Sequence, residues 1–149
     1  MIYSNQSAAR AYASVGLETD VASVEPAQLI VMLYDGALLS IARARQHMTE
    51  RNIQKKASSI SKAVQIIDEG LKASLEVRRG GDLARQLWQL YEYMCRRLLL
   101  ASVNNDVSGL DEVTRLLTDL KDAWSQLAPA AVPVLGGNVV PLQSRFDKR

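Results

Sequence analysis

At 149 residues and net charge +2, the chain has the size of one domain with a real core, and its mixed charges leave no electrostatic footprint for nucleic acid. Hydrophobic residues make up 48% of the chain but aromatics only 5%, so aliphatic side chains carry the core, and the few glycines and four prolines favour helices. A single cysteine, Cys95, excludes an intramolecular disulfide framework.

The N-terminal stretch MIYSNQSAARAYASVG lacks the basic-then-apolar order of a secretory signal, and the longest unbroken apolar run is too short to span a bilayer. The expected compartment is the cytosol by default. Residues 1–22 read as an N-terminal arm rich in Ser, Ala and Asn, with a short helix around Gln6 to Ser14.

Residues 23–128 read as the folded unit. Its first element contains LIVMLYDGA, Leu29 to Ala37, in which Asp-Gly between apolar runs has the form of a hairpin turn. Periodicity decides against the hairpin. Leu29, Leu33, Ala37, Ile41, Ala44 and Met48 recur at steps of three and four over five turns, and Pro26 suits a helix start. A first helix therefore runs from Pro26 to about Met48, with Gly36 in its interior as a packing notch.

Asn52 is the expected N-cap of a second helix, with Ile53, Ala57, Ile60, Val64, Ile67, Leu71 and Leu75 on one face. The run RRGGD at Arg78 to Asp82 reads as its stop, and Asp82 as the start of a third helix. The inner face of that helix reads Leu83, Leu87, Leu90, Tyr91, Met94, Leu98 and Ala101. After the turn cluster NND, Ser108 and Asp111 resemble a capping box that opens a fourth helix, lined by Leu110, Val113, Leu117, Leu120, Trp124 and Leu127. Residues 129–149 hold three of the four prolines and no helical period, an irregular tail. The expected architecture is all-α: an antiparallel up-and-down four-helix bundle with an arm and a tail. The basic pairs Lys55-Lys56, Arg78-Arg79 and Arg96-Arg97 read as solvated helix faces.

Chemistry for catalysis is missing. His47 has no Cys or carboxylate at ligand spacing and reads as a residue near the negative end of its helix. Cys95 has no histidine placed to activate it and reads as an inert buried thiol. No phosphate loop, HExxH, EF-hand loop or GxSxG is present. The expectation is a non-enzyme with no catalytic residues, no metal and no cofactor. In excess, instead, is apolar surface: Ile30, Val31, Met32, Tyr34, Leu38 and Leu39 fall outside the first helix's main stripe, and Ile66 adds to the second. Two readings fit this excess, a central helix buried on several sides or a groove that a partner segment fills. Tyr12, Val15 and Leu17 of the arm are placed to cover such a groove.

The motifs AYASVGLETDV, LIVMLYDGAL, SKAVQIIDEGLKASL, LYEYMCRRLLLA, NND and DAW, in that order, resemble the flagellin-specific export chaperones of the FliS family over residues 2 to about 127. The resemblance implies a non-enzymatic helical bundle in the cytosol. It would bind the disordered C-terminal region of flagellin, prevent premature polymerisation and present the subunit to the flagellar export gate. Carried onto this sequence, the partner groove comprises Tyr12, Val15, Leu17, Ile30, Leu33, Tyr34, Ile60, Val64, Ile67, Tyr91 and Met94. Asp35, Gly36, Arg96, Arg97, Asn105 and Asp106 take structural roles, with Arg97 and Asp106 as an ion pair. Glu25 stands where the family often has a small hydroxyl residue, and the tail after Ala128 matches no family pattern. The alternative is a constitutive homodimeric adaptor bundle that buries its surplus apolar surface against a second copy.

Overall fold

In a computed structural model of the chain, residues 26–127 are described, and they contain four helices and no strand. Helix α1 is Pro26–Thr49; α2 is Ile53–Gln65 and leads directly into a π-helical segment, Ile66–Lys72. Helix α3 is Val77–Asn104 and α4 is Val107–Leu127. The arm, the tail and the sequence expectations that fall on them, including Tyr12, Val15 and Leu17, lie outside the described residues.

Contacts between helices fix the topology. Lys56 meets Ser102 and Asn105, Val64 meets Cys95, and Lys72 meets Glu92, so α2 and its π extension run antiparallel to α3. Arg97 with Glu112 ties α3 to α4, while Arg45–Asp111 and Asp35–Lys121 set α1 antiparallel to α4. Helix α1 packs on both α2 and α4. The antiparallel all-α bundle expected from periodicity is the fold of the chain.

Helix α1 starts at Pro26 as expected and passes through Asp35-Gly36 without interruption. Gly36, Ala37, Ser40 and Ala44 are buried, as are Ser59 and Ala63 on α2. Small side chains at such positions let helix axes approach closely. By length and composition α1 alone among the described helices is apolar enough to cross a membrane. In the bundle its Leu29, Leu33, Tyr34, Ala37, Ile41 and Ala44 form the middle of the core.

The junction after α1 is a Schellman turn built on a non-glycine residue. Arg51 sits at φ 60°, the Asn52 N–H reaches His47 O at 2.9 Å and the Arg51 N–H reaches Met48 O at 3.2 Å. Asn52 then caps α2 through its side chain, which accepts from the Lys55 N–H at 3.1 Å. The same device ends α3: Asn105 is left-handed at φ 51°, and the Asp106 N–H reaches Ala101 O at 2.9 Å.

Four sequence expectations are corrected. The buried face of α2 begins at Lys56, Ser59, Ile60 and Ala63, whereas Ile53 is 72% exposed and Ala57 is exposed. Further on, the i→i+5 turns of the π segment bring Ile66, Ile67, Gly70 and Leu71 all inward. The second helical run stops at Lys72, not at RRGGD, and Leu75 packs against the core just after it. Arg78 to Gly81 instead belong to α3, which is broken at Gly81 (φ 60°, ψ −133°), a conformation open to glycine. Regular helix resumes at the expected Asp82, but Leu83 is 67% exposed rather than inward. Finally, Asp106, not Ser108, caps α4: its Oδ1 accepts the Ser108 N–H at 3.0 Å and the Ser108 hydroxyl at 2.6 Å. Asp111 pairs with Arg45 and takes no part in a capping box.

Candidate functional site

The residues expected to line a partner groove divide sharply. Leu33, Tyr34, Ile60, Ile67, Tyr91 and Met94 are interior, each almost without exposed surface, and belong to the central cluster. Ile30 and Val64 are half-buried at its margin. Of the two readings of α1's surplus apolar residues, the core accounts for Tyr34, while Ile30, Met32 and Leu38 pack against it from outside. Leu39 is exposed.

At the centre of the core the hydroxyls of Tyr34 and Tyr91 hydrogen-bond to each other across the bundle diagonal. Burial raises both phenols, Tyr91 to about 12 and Tyr34 further, with the neighbouring Tyr91 adding to the shift of Tyr34. Both are therefore neutral at physiological pH, and each satisfies the other's polar atom in a dry environment.

A second polar cluster joins α3 to α4. Arg97 Nε donates to Glu112 Oε1 at 2.9 Å and Nη2 to Asp106 Oδ2 at 3.1 Å, while the Tyr93 hydroxyl donates to Glu112. The expected Arg97–Asp106 pair thus exists within a larger network, and Arg97 is not a solvated face. Hydrogen bonds from Tyr93 and Arg97 lower the Glu112 pKa, and those from Ser108 and Arg97 lower that of Asp106. Gly109 lets the helices close here. A Cβ on it would lie 2.6 Å from Arg97 Nη1 and 2.8 Å from the Ala101 Cβ.

Lysines close the α2–α3 seam. Lys56, also read as solvated, is buried and donates to Ser102 O at 2.7 Å and Asn105 Oδ1 at 2.8 Å, supplying a cation to the negative end of α3. Lys72 pairs with Asp68 at 2.7 Å and with Glu92, and lies 4.7 Å from the Trp88 ring centroid. Burial opposes its charge, but the two carboxylates outweigh that and raise its pKa. Arg96 remains exposed, 3.9 Å from Glu92, and Asp35 pairs with Lys121 at 2.6 Å.

These clusters hold the bundle together and offer no reactive centre. The Cys95 thiol is half-buried, 3.9 Å from Val64 O, and burial with help from Asp68 pushes its pKa up to about 12. His47, near the end of α1, lies 3.4 Å from Glu50. Among the described residues no group of His, Cys, Asp and Glu has the arrangement to hold a metal ion.

The surface does carry an unexpected feature. Trp88, Leu99, Leu100 and Val103 of α3 are exposed, Val103 by 78%. Leu99 and Val103 are four residues apart, Leu100 and Val103 three, so they form one patch. Trp88 lies eleven residues before Leu99, close to three full turns, and continues the same stripe along the side that faces α2. Residue periodicity marked the inward stripe of α3 and so missed this outward one. A signal was present in Leu98-Leu99-Leu100, since three consecutive leucines on a helix cannot all face one core.

Comparisons with known proteins converge. The family model described as "Flagellar protein FliS" matches residues 8–131. The chain is 45% identical over 122 residues to the flagellar secretion chaperone FliS of Salmonella typhimurium, covering 82% of this chain and 90% of that protein. It is 42% identical over 125 residues to the Escherichia coli protein of the same name, covering 83% and 92%. With the flagellar secretion chaperone FliSB of Pseudomonas aeruginosa it shares 41% identity over 121 residues, covering 81% and 95%.

Proposed function

Because the chain belongs to the FliS family of flagellar secretion chaperones, non-enzymatic proteins, we propose that its client is flagellin and that it captures the disordered C-terminal region of that subunit in the cytosol. Capture keeps subunits from polymerising early and delivers them, as a complex, to the flagellar export gate. One observation carries the choice of surface: the outward apolar stripe of Trp88, Leu99, Leu100 and Val103 on α3, a helix whose inward face is already filled. A segment that orders on binding loses conformational entropy and needs a long apolar surface in compensation. The stripe, with half-buried Val64 beside it, offers such a surface.

Calorimetry with the C-terminal region of flagellin tests this reading. Expected are a one-to-one complex, a large negative heat capacity of binding and slower flagellin self-assembly. Absence of binding together with unaltered assembly would reject it, as would a constitutive homodimer indifferent to flagellin in light scattering.

A further inference from the structure

We propose that Lys72 is the positioning residue of the exposed α3 stripe: it fixes the Trp88 ring and neutralises Glu92, so that an apolar segment can cover both. The role in binding rests on the client reading above; the arrangement itself does not.

Trp88 and Leu99 are not joined by apolar surface alone. Glu92 stands four residues after Trp88 and seven before Leu99, on the side of α3 that faces Lys72, so a carboxylate interrupts the stripe. Its side chain is 33% exposed. A segment laid along the stripe covers that carboxylate, and a charge taken from water without a partner is costly. Lys72 supplies the partner from across the α2–α3 seam. Its amine pairs with Glu92, is held from its own helical run by Asp68 at 2.7 Å, and is only 17% exposed. Arg96, four residues after Glu92 and largely exposed, stays 3.9 Å away and is the weaker partner.

The same amine lies over the Trp88 ring, 4.7 Å from its centroid. At this distance the negative face of an indole attracts a cation. One face of Trp88 is therefore occupied by a group that two carboxylates hold in place, while the residue keeps part of its surface in solvent. A surface tryptophan with no such neighbour exchanges between rotamers. Holding one rotamer in advance removes that ordering cost from binding.

Lys72 reaches this place through the π segment. Twelve residues of regular α-helix would turn it about 120° away from the direction of inward Ile60. The wide turns of Ile66–Lys72 absorb about one residue of rotation, roughly 100°, and bring Lys72 back towards α3. The segment thus serves the surface as well as the core.

The test uses the full chain, proton NMR and calorimetric titration with a flagellin C-terminal peptide. In wild type the Lys72 ε-methylene protons are expected upfield of an ordinary lysine, shielded by the Trp88 ring; signals at the ordinary position overturn the proposal. In K72M the indole N–H signal of Trp88 should move, and that of Trp124 should not. Peptide affinity should fall about tenfold in K72M and stay within about threefold of wild type in K72R, which keeps the cation. Because Lys72 acts through Trp88 and Glu92, adding K72M to W88L/E92Q should change affinity less than about twofold. E92Q/K72M leaves no orphan carboxylate on the stripe and should recover part of the loss, which keeps the test decisive where K72M alone folds poorly. Unchanged affinity in K72M, or a full loss on adding K72M to W88L/E92Q, overturns the proposal. Upfield Lys72 protons and a moved Trp88 signal, with no flagellin affinity in wild type, uphold the arrangement and reject the client reading.

Discussion

Tyr34 and Tyr91 each bring a hydroxyl into a core otherwise built from aliphatic side chains, and each is tolerated because the other is there. Tyr34→Phe removes one hydroxyl and strands the other. An unpaired buried hydroxyl costs about 1–3 kcal/mol, and urea unfolding is expected to show a loss of that size with the helical spectrum unchanged. The pair also predicts behaviour in alkali. Burial raises both phenols above their ordinary value, so the folded state holds its protons where the unfolded chain has already released them. Their contribution is intact below about pH 10 and falls as pH climbs beyond it. Wild type should lose stability as pH rises above about 10 towards the folded Tyr91 value of about 12, and Tyr34→Phe should flatten that loss, with tyrosinate absorbance following the ionisation. Gly109 is a constraint of another kind. Gly109→Ala would drive a methyl against Arg97 and Ala101; the arginine end can swing away but the Ala101 Cβ cannot. Overpacking of this sort costs about 1–3 kcal/mol, read as a fall in unfolding midpoint.

Helices α3 and α4 are joined by charge as much as by apolar contact, and acid should loosen that seam first. Glu112 and Asp106 have lowered pKa values, so the unfolded chain takes up protons before the folded one does. Their stabilisation is complete above the ordinary carboxylate range near pH 4 and is lost as pH falls through the folded values. Glu112→Gln is expected to lower stability at neutral pH and to make the fall below about pH 4 shallower, measured as unfolding midpoint against pH. How much of these elements the sequence discloses depends on the kind of interaction that sets each boundary. Pro26, Asn52 and the inward lines Leu29–Leu33–Ala37–Ile41 and Tyr91–Met94–Leu98–Ala101 follow from backbone caps and 3.6-residue periodicity, which are local. The π segment is not local. Its extra residue per turn changes the inward register after Gln65, and the exposed Ile53 and Ala57 show that periodicity also misplaces the start of α2. Lys56 could not be assigned from its neighbours either, because its partners lie 46 and 49 residues away at the end of α3. Gly80-Gly81 looked like a terminus since glycine marks ends and breaks alike; only the Gly81 dihedrals distinguish the two.

For the whole molecule, the question is how a bundle that has filled its core still presents apolar surface. Most residues expected in a groove on grounds of family likeness and hydrophobicity are interior, because an apolar residue on the regular stripe of a helix serves the core first. Surface available to a partner must come from apolar residues off the stripe, and on α3 these are Trp88, Leu99, Leu100 and Val103. This division separates two classes of substitution. Core changes such as Leu98→Ala should destabilise the bundle by about 2–5 kcal/mol and weaken client binding only in proportion to unfolding. The double substitution L99E/V103E changes exposed side chains, so stability should shift by less than about 0.5 kcal/mol per site. Client affinity should nevertheless fall at least tenfold, about 1.4 kcal/mol, since two charges would be forced against an apolar segment. Calorimetric titration with the flagellin C-terminal region, paired with urea unfolding of the same samples, reads both quantities. Loss of affinity without loss of stability places the client on the outward face of α3. Retained affinity in L99E/V103E would move it to another side of the bundle, with half-buried Ile30, Met32 and Leu38 and exposed Leu39 on α1 as the next apolar surface to substitute.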